Sequence, residues 1–269
     1  LTDPSDFSQD LDLARAAVLA AGEAVLRYFR ADVEVHFKAA DQPVTAADLA
    51  ADRILHDRLL GERPGYGWLS EESAATPDRL ELRRVWVVDP IDGTNSFVEG
   101  IPEFVVSLGL VEDGVPVLGI LLNPVTGELY HAVRGGGAFR DGEPITIAAV
   151  PPDGSMPVLA ASRWEIGIGE FATLQDEWEV RAMGSTAYRM AKVADGTVHA
   201  FFSRSRKSEW DVCAATLIVR EAGGTVTQTD GSPLDFNQTV PTFDGVVCVG
   251  SMPVKLPTTR YPGYQSGAG

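Results

Sequence analysis

Apolar residues recur at helical spacing over residues 11–30, where Ala14, Ala17, Val18, Ala21, Val25, Tyr28 and Phe29 share one face. That pattern predicts an amphipathic helix. A second helical pattern follows Thr45, with Ala47, Ala51, Ile54, Leu55 and Leu59 inward and an end near Gly61 and Pro64. Thr45 and Asp48 have capping-box spacing at its start. The pattern then changes to short apolar runs, at residues 67–70, 85–88, 104–111, 117–122 and 128–133, separated by Gly, Pro, Asn and Asp. Runs of this length between turn residues predict strands, and residues 104–133 an antiparallel meander. Further strands are expected at residues 158–161, 198–202, 225–229 and 246–249, with helices opening after Gly184 and after Ser208. Gly223 and Gly224 close the second of these helices.

Blocks of helices alternating with strands predict layered α and β with mixed sheets. The Pro-rich stretch at residues 144–157 separates an N-terminal half, 1–150, from a C-terminal half, 151–255. Residues 256–269, rich in Pro, Gly, Thr and Ser, read as a flexible tail.

Composition narrows the function classes. The net charge of −16 over 269 residues argues against binding a nucleic-acid polymer, which depends on lysine and arginine. No apolar run is long enough for a membrane span, and the acidic N-terminus shows no signal-peptide pattern. Two cysteines are too few for a disulfide scaffold or a cysteine zinc site, and a reducing cytoplasm is the simplest home.

The chemistry gathers on acids. The strand at residues 85–88 runs into Asp89-Pro90-Ile91-Asp92-Gly93-Thr94, where Pro90 is expected to end the ladder and Gly93 permits a left-handed turn. Two carboxylates beside freed backbone N–H groups suit a hard divalent cation and a phosphate. Further acids come from Glu71 or Glu72, from Asp211, and from Asp48 near the start. Taken singly, Asp48 and Asp211 are also good helix caps, and Glu71-Glu72 a solvated loop edge. Oxygen ligands with four scattered histidines favour Mg²⁺ or Mn²⁺ over zinc. A glycoside hydrolase would also pair carboxylates but would need no metal.

In this order, Ser70-Glu71-Glu72-Ser73, Asp89 through Thr94, and Glu209-Trp210-Asp211 before a helix resemble the inositol monophosphatase superfamily, with its 3'(2'),5'-bisphosphate nucleotidase branch second. The resemblance runs from Lys38 to Gly224. It implies an α-β-α-β-α sandwich, a homodimer, and lithium-sensitive, Mg²⁺-dependent hydrolysis of a small phosphorylated polyol, with two or three ions. By position it implies Glu71, Asp89, Asp92, Asp211 and the Ile91 carbonyl as metal ligands. Asp48, Thr94 and Glu71 become the catalytic set, Gly93 and Thr94 the phosphate seat, and Lys38 a supporting charge. Gly184, Ser185 and Thr186 fall on the substrate side. One departure stands out. Where inositol monophosphatases commonly carry an acid for substrate hydroxyls, this chain has Arg204, which favours a second phosphate and keeps a bisphosphate nucleotide or sugar bisphosphate open. Asp92→Asn is expected to remove activity and leave the fold intact.

Overall fold

The computed structural model describes residues 7–31, 35–39, 42–149, 151 and 154–250. The tail expected at residues 256–269 lies outside them.

The chain opens with α1 (Ser8–Leu26), a ribbon of β1 (Val35–Ala39) and β2 (Gln42–Thr45), and α2 (Ala46–Glu62). Next come β3 (Gly67–Ser70), β4 (Arg84–Asp92), the short α3 (Thr94–Val98), β5 (Val105–Glu112), β6 (Val115–Leu122), β7 (Leu129–Val133), β8 (Ala138–Arg140) and β9 (Glu143–Ile145). Then follow β10 (Val158–Ala161), α4 (Arg163–Gly167), β11 (Glu179–Ala182), α5 (Thr186–Ala194), β12 (Ala200–Ser203), β13 (Lys207–Ser208) and α6 (Glu209–Glu221). The last strands are β14 (Thr225–Thr227), β15 (Thr242–Phe243) and β16 (Val246–Val249).

Strands β3 to β9 form one sheet in sequence order, parallel only between β3 and β4. A second sheet, ordered β11-β10-β12-β16-β14, mixes parallel and antiparallel pairs. The period-two alternation of β4 divides its side chains. Trp86 and Val88 join the core under α1 and α2, while Val85 and Val87 join the core shared with α5 and α6. That second core also takes Ala160, Phe201 and Cys248 from the inner face of the second sheet, whose outer face carries Leu159 and Phe202 and packs on Phe171. The layers are therefore α-β-α-β-α, as the family resemblance implied.

Two sequence expectations change. Helix α1 stops at Leu26 rather than running to Arg30, and Arg30 adopts a positive φ of 62°. The break lets Phe29 pack on Phe97 and Phe104, with ring centroids 5.8 and 5.2 Å apart, so aromatic packing overrides the helical period. Strand β4 also does not end at Pro90. Asp89 pairs with Ser107 and Asp92 with Val105, so the step holds one residue more on β4 than on β5. That is a β-bulge.

Close approach of α6 to the first sheet depends on missing side chains. A Cβ on Gly109 would lie 2.6 Å from Cys213 Sγ, and one on Gly119 would lie 2.4 Å from the Ala214 carbonyl oxygen. Gly61 is the opposite case, in α2 with nothing within 4 Å of a built Cβ. Gly61→Ala is expected to raise stability by about 0.5–1 kcal/mol through lost unfolded-state entropy, read as an increase of about 2 °C in melting temperature.

Candidate active site

The bulge in β4 makes the centre possible. In a regular strand, residues 89 and 92 would point to opposite faces; one extra residue turns both carboxylates to the same side. Asp89 is held in place by accepting the Ile91 N–H at 3.0 Å. Glu71 follows directly on β3, its N–H bonded to the Val88 carbonyl at 3.2 Å. Asp211 arrives from the first turn of α6, where its Oδ2 accepts the Ser208 N–H at 2.8 Å in a capping box. Three ligand oxygens, one each from Glu71, Asp89 and Asp211, lie within 4.8 Å of one another.

Such a cluster is unstable by itself. Burial pushes the Asp89 carboxyl well above the carboxylate range, and the charges of Glu71, Asp92 and Asp211 push it further. Asp211 is pushed up to about 7 by burial and by Asp92, against the pull of Lys207. A divalent cation removes this repulsion, and an all-oxygen donor set fits Mg²⁺ or Mn²⁺. The residues present therefore fit the implied metal.

The shifts have a measurable consequence. An acid whose folded value is raised holds a proton that the unfolded chain has released, so its contribution to stability is complete below about pH 4 and is lost as pH rises through about 7. Metal-free protein in EDTA is expected to unfold at lower urea concentration at pH 8 than at pH 5. Saturating Mg²⁺ should recover most of the difference at pH 8. Equal stability at both pH values in EDTA would contradict the cluster's electrostatics.

Asp92 is not one of the three clustered carboxylates, and its oxygens are taken up elsewhere. Its Oδ2 accepts Ser185 Oγ–H and the Ala187 N–H, both at 2.5 Å, and its Oδ1 accepts the Thr186 N–H at 3.3 Å. It thus caps α5 from a distant strand. Burial leaves its carboxyl raised, although these hydrogen bonds and Arg189 offset part of the effect.

Gly93, at φ 100°, makes the left-handed turn that ends β4 and starts α3. Thr94 Oγ1 then sits 3.0 Å from the Ile91 carbonyl and 3.4 Å from Asp48 Oδ1. The other Asp48 oxygen accepts the Thr45 N–H at 2.8 Å and its hydroxyl at 2.7 Å, in the capping box that the sequence spacing predicted. Lys38 lies on β1, but its side chain is outside the described residues.

A cavity of about 340 Å³ opens beside Asp92 and Gly93. Gly184, Ser185 and Thr186 line it, together with Ser162 and Trp164 from the start of α4 and Arg189 from α5. The Gly184 N–H donates to Glu103 Oε2 at 2.7 Å, and Arg163 reaches the same oxygen at 2.7 Å. Arg204 is elsewhere. Its guanidinium is ion-paired with Glu170 and lies over the Phe202 ring, 5.1 Å from the centroid, and it does not line this cavity. Glu209, beside Asp211 in sequence, turns away to accept the Asn237 and Gln238 N–H groups, each at 2.7 Å.

Sequence reasoning missed the α4 segment. Its signal was readable: Ser162 and Glu165 form a capping box that the structure realises in full. Arg189 gave no signal, and Lys207 could be read only as the end of the charge run 204–207, because a buried charge inside a short element looks the same in sequence as an exposed one.

Among the described residues, no helix is long and apolar enough to cross a membrane. The model of the inositol monophosphatase family matches residues 6–248. An inositol-1-monophosphatase of Mesorhizobium japonicum is 36% identical over 230 residues, covering 82% of this chain and 86% of its own length. A 3'(2'),5'-bisphosphate nucleotidase CysQ of Aggregatibacter actinomycetemcomitans is 30% identical over 231 residues, covering 81% and 84%. The extragenic suppressor protein suhB of Bartonella henselae superposes with a TM-score of 0.80 at 30% identity, over 91% of this chain and 95% of its own. Carboxylates gathered for a divalent cation in this layered fold thus coincide with a match along almost the whole chain, and the protein belongs to the inositol monophosphatase family as a metal-dependent phosphoric monoester hydrolase acting on a small phosphorylated substrate.

Proposed function

We infer that the protein hydrolyses the phosphate monoester of a small polyol, with inositol monophosphate as the representative substrate. The observation that carries this reading is the convergence of Glu71, Asp89 and Asp211 within 4.8 Å, with a cavity lined by Asp92 and Gly93. Glu71, Asp89 and Asp211 would hold Mg²⁺, with Asp92 and the Ile91 carbonyl helping to hold further ions, two or three in all. Bound there, Mg²⁺ supplies positive charge to the phosphate oxygens and lowers the pKa of water.

The rest falls to the chain's own groups. Gly93 and Thr94 offer backbone N–H groups to the phosphate. Asp48, its other oxygen fixed by Thr45, keeps Oδ1 toward Thr94, and the two orient a water and take its proton, with Glu71 beside them. Gly184, Ser185 and Thr186 form the wall that meets the alcohol. The cation expected to select a second phosphate, Arg204, is engaged by Glu170, and this favours the polyol. A bisphosphate nucleotide is the second reading, supported by the CysQ relative and by Arg204 standing where an acid is common.

The reading extends to a cytoplasmic homodimer sensitive to lithium. Two buried free thiols, Cys213 and Cys248, are in keeping with a reducing compartment. Light scattering and Li⁺ titration test the other two points. The decisive experiment is phosphate release with Mg²⁺ from inositol 1-phosphate, 3'-phosphoadenosine 5'-phosphate, fructose 1,6-bisphosphate and histidinol phosphate. The expected result is preference for inositol 1-phosphate, loss of activity in EDTA and recovery with Mg²⁺. Preference for the nucleotide would transfer the reading to the second branch.

A further inference from the structure

Behind the site lies a chain of buried and half-buried polar groups that the proposed reaction does not use. Lys207 Nζ donates to Ser205 Oγ at 2.5 Å, the Ser205 and Ser203 hydroxyls are 2.8 Å apart, and Ser203 Oγ donates to Glu165 Oε1 at 2.5 Å. The other Glu165 oxygen accepts Ser162 Oγ–H at 2.6 Å and faces Arg189 Nη1 at 3.5 Å. Arg189 in turn donates from Nε to the Ser185 carbonyl at 2.9 Å and from Nη2 to Thr186 Oγ1 at 3.2 Å, in the turn whose donors cap Asp92. At the far end, Lys207 immediately precedes Ser208, whose N–H holds Asp211. Glu165, Arg189 and Lys207 are all buried.

Two buried cations next to a metal centre compete with the metal for its carboxylates. Lys207 and Arg189 each interact with Asp92 and Asp211 as well as with Glu165. We propose that Glu165 is a positioning residue for the metal site: its buried carboxylate takes up the charge of Arg189 and Lys207, leaving Asp92 and Asp211 to a divalent cation. It also ties the α4 wall of the cavity to the start of α5. The proposal rests on the metal reading given above, and it concerns cation affinity rather than substrate choice.

The test uses Mg²⁺ alone, without substrate, following the full chain's melting temperature as Mg²⁺ is titrated. Glu165→Gln keeps the shape and removes the charge. It is expected to raise the Mg²⁺ concentration for half-maximal stabilisation by about tenfold. Adding Lys207→Met to that variant removes one competing cation and should bring the midpoint back to within about threefold of wild type. Lys207→Met alone should lower the midpoint, and it decides the matter if Glu165→Gln does not fold. A structural role for Glu165 would lower the metal-free melting temperature in the single and double variants alike and leave the Mg²⁺ midpoint in place. An unchanged midpoint in Glu165→Gln, no recovery in the double variant, or weaker Mg²⁺ binding in Lys207→Met overturns the proposal. A wild-type chain that Mg²⁺ does not stabilise at all overturns the metal reading together with it.

Discussion

Asp89→Asn is expected to reduce phosphate release at least about a thousandfold and, at pH 8 in EDTA, to make the protein more stable by about 1–3 kcal/mol. The two effects share one cause. Asp89 is fully buried among Glu71, Asp92 and Asp211, so its charge is unfavourable until a cation arrives. The amide keeps the Oδ1 acceptor for the Ile91 N–H, removes the charge, and leaves the cation one ligand short. Phosphate release and urea denaturation of the two proteins in EDTA check this together, and a variant less stable than wild type would contradict it. Asp92→Asn behaves differently. Its amide must turn a donor toward one of the three groups that now donate to the carboxylate, so the variant disturbs the start of α5 as well as the chemistry. The sequence expectation of an intact fold does not carry over to that position.

Gly119→Ala is expected to lower stability by about 3 kcal/mol or more, and to reduce activity although it lies away from every carboxylate of the site. The new methyl would meet the Ala214 carbonyl oxygen at 2.4 Å and its Cα at 3.0 Å, both backbone atoms that no rotamer change can move aside. Relief requires α6 to back away from β6, and Asp211 travels with α6. Thermal melting and the Mg²⁺ dependence of activity should therefore shift together. Gly61→Ala, which adds the same methyl in open space, is the control.

Much of this could be read in the chain. The meander from β5 to β7 follows from short apolar runs broken by Asp113-Gly114 and Asn123-Pro124, because period and turn chemistry agree there. The capping box at Thr45 was legible because it is local, spanning a few residues of known geometry. The bulge at Pro90 was not. Proline reads as a strand terminator, and only pairing with β5 shows that the ladder resumes at Asp92. Strand β11 alternates Glu179 and Arg181 with Val180 and Ala182, but at four largely exposed residues the pattern is too short to mark a strand on its own. Arg204 was legible as a departure, but its partner Glu170 is distant in sequence, so what the guanidinium does could not be read from its neighbours. The buried Glu165 chain was hidden for the same reason, since it spans α4, α5 and β13.

Asp48 and Asp211 each occupy the third position of a helix whose first turn they hold together. The atoms that start α2 and α6 thus belong to side chains of the site, and a chain that has folded these helices has already turned both carboxylates to their working orientation. Loading of the cation then requires shedding of its hydration water but no search among rotamers. The rate of reactivation after chelation should be set by the metal's own water exchange, faster for Mn²⁺ than for Mg²⁺, and not by any slow rearrangement of the protein.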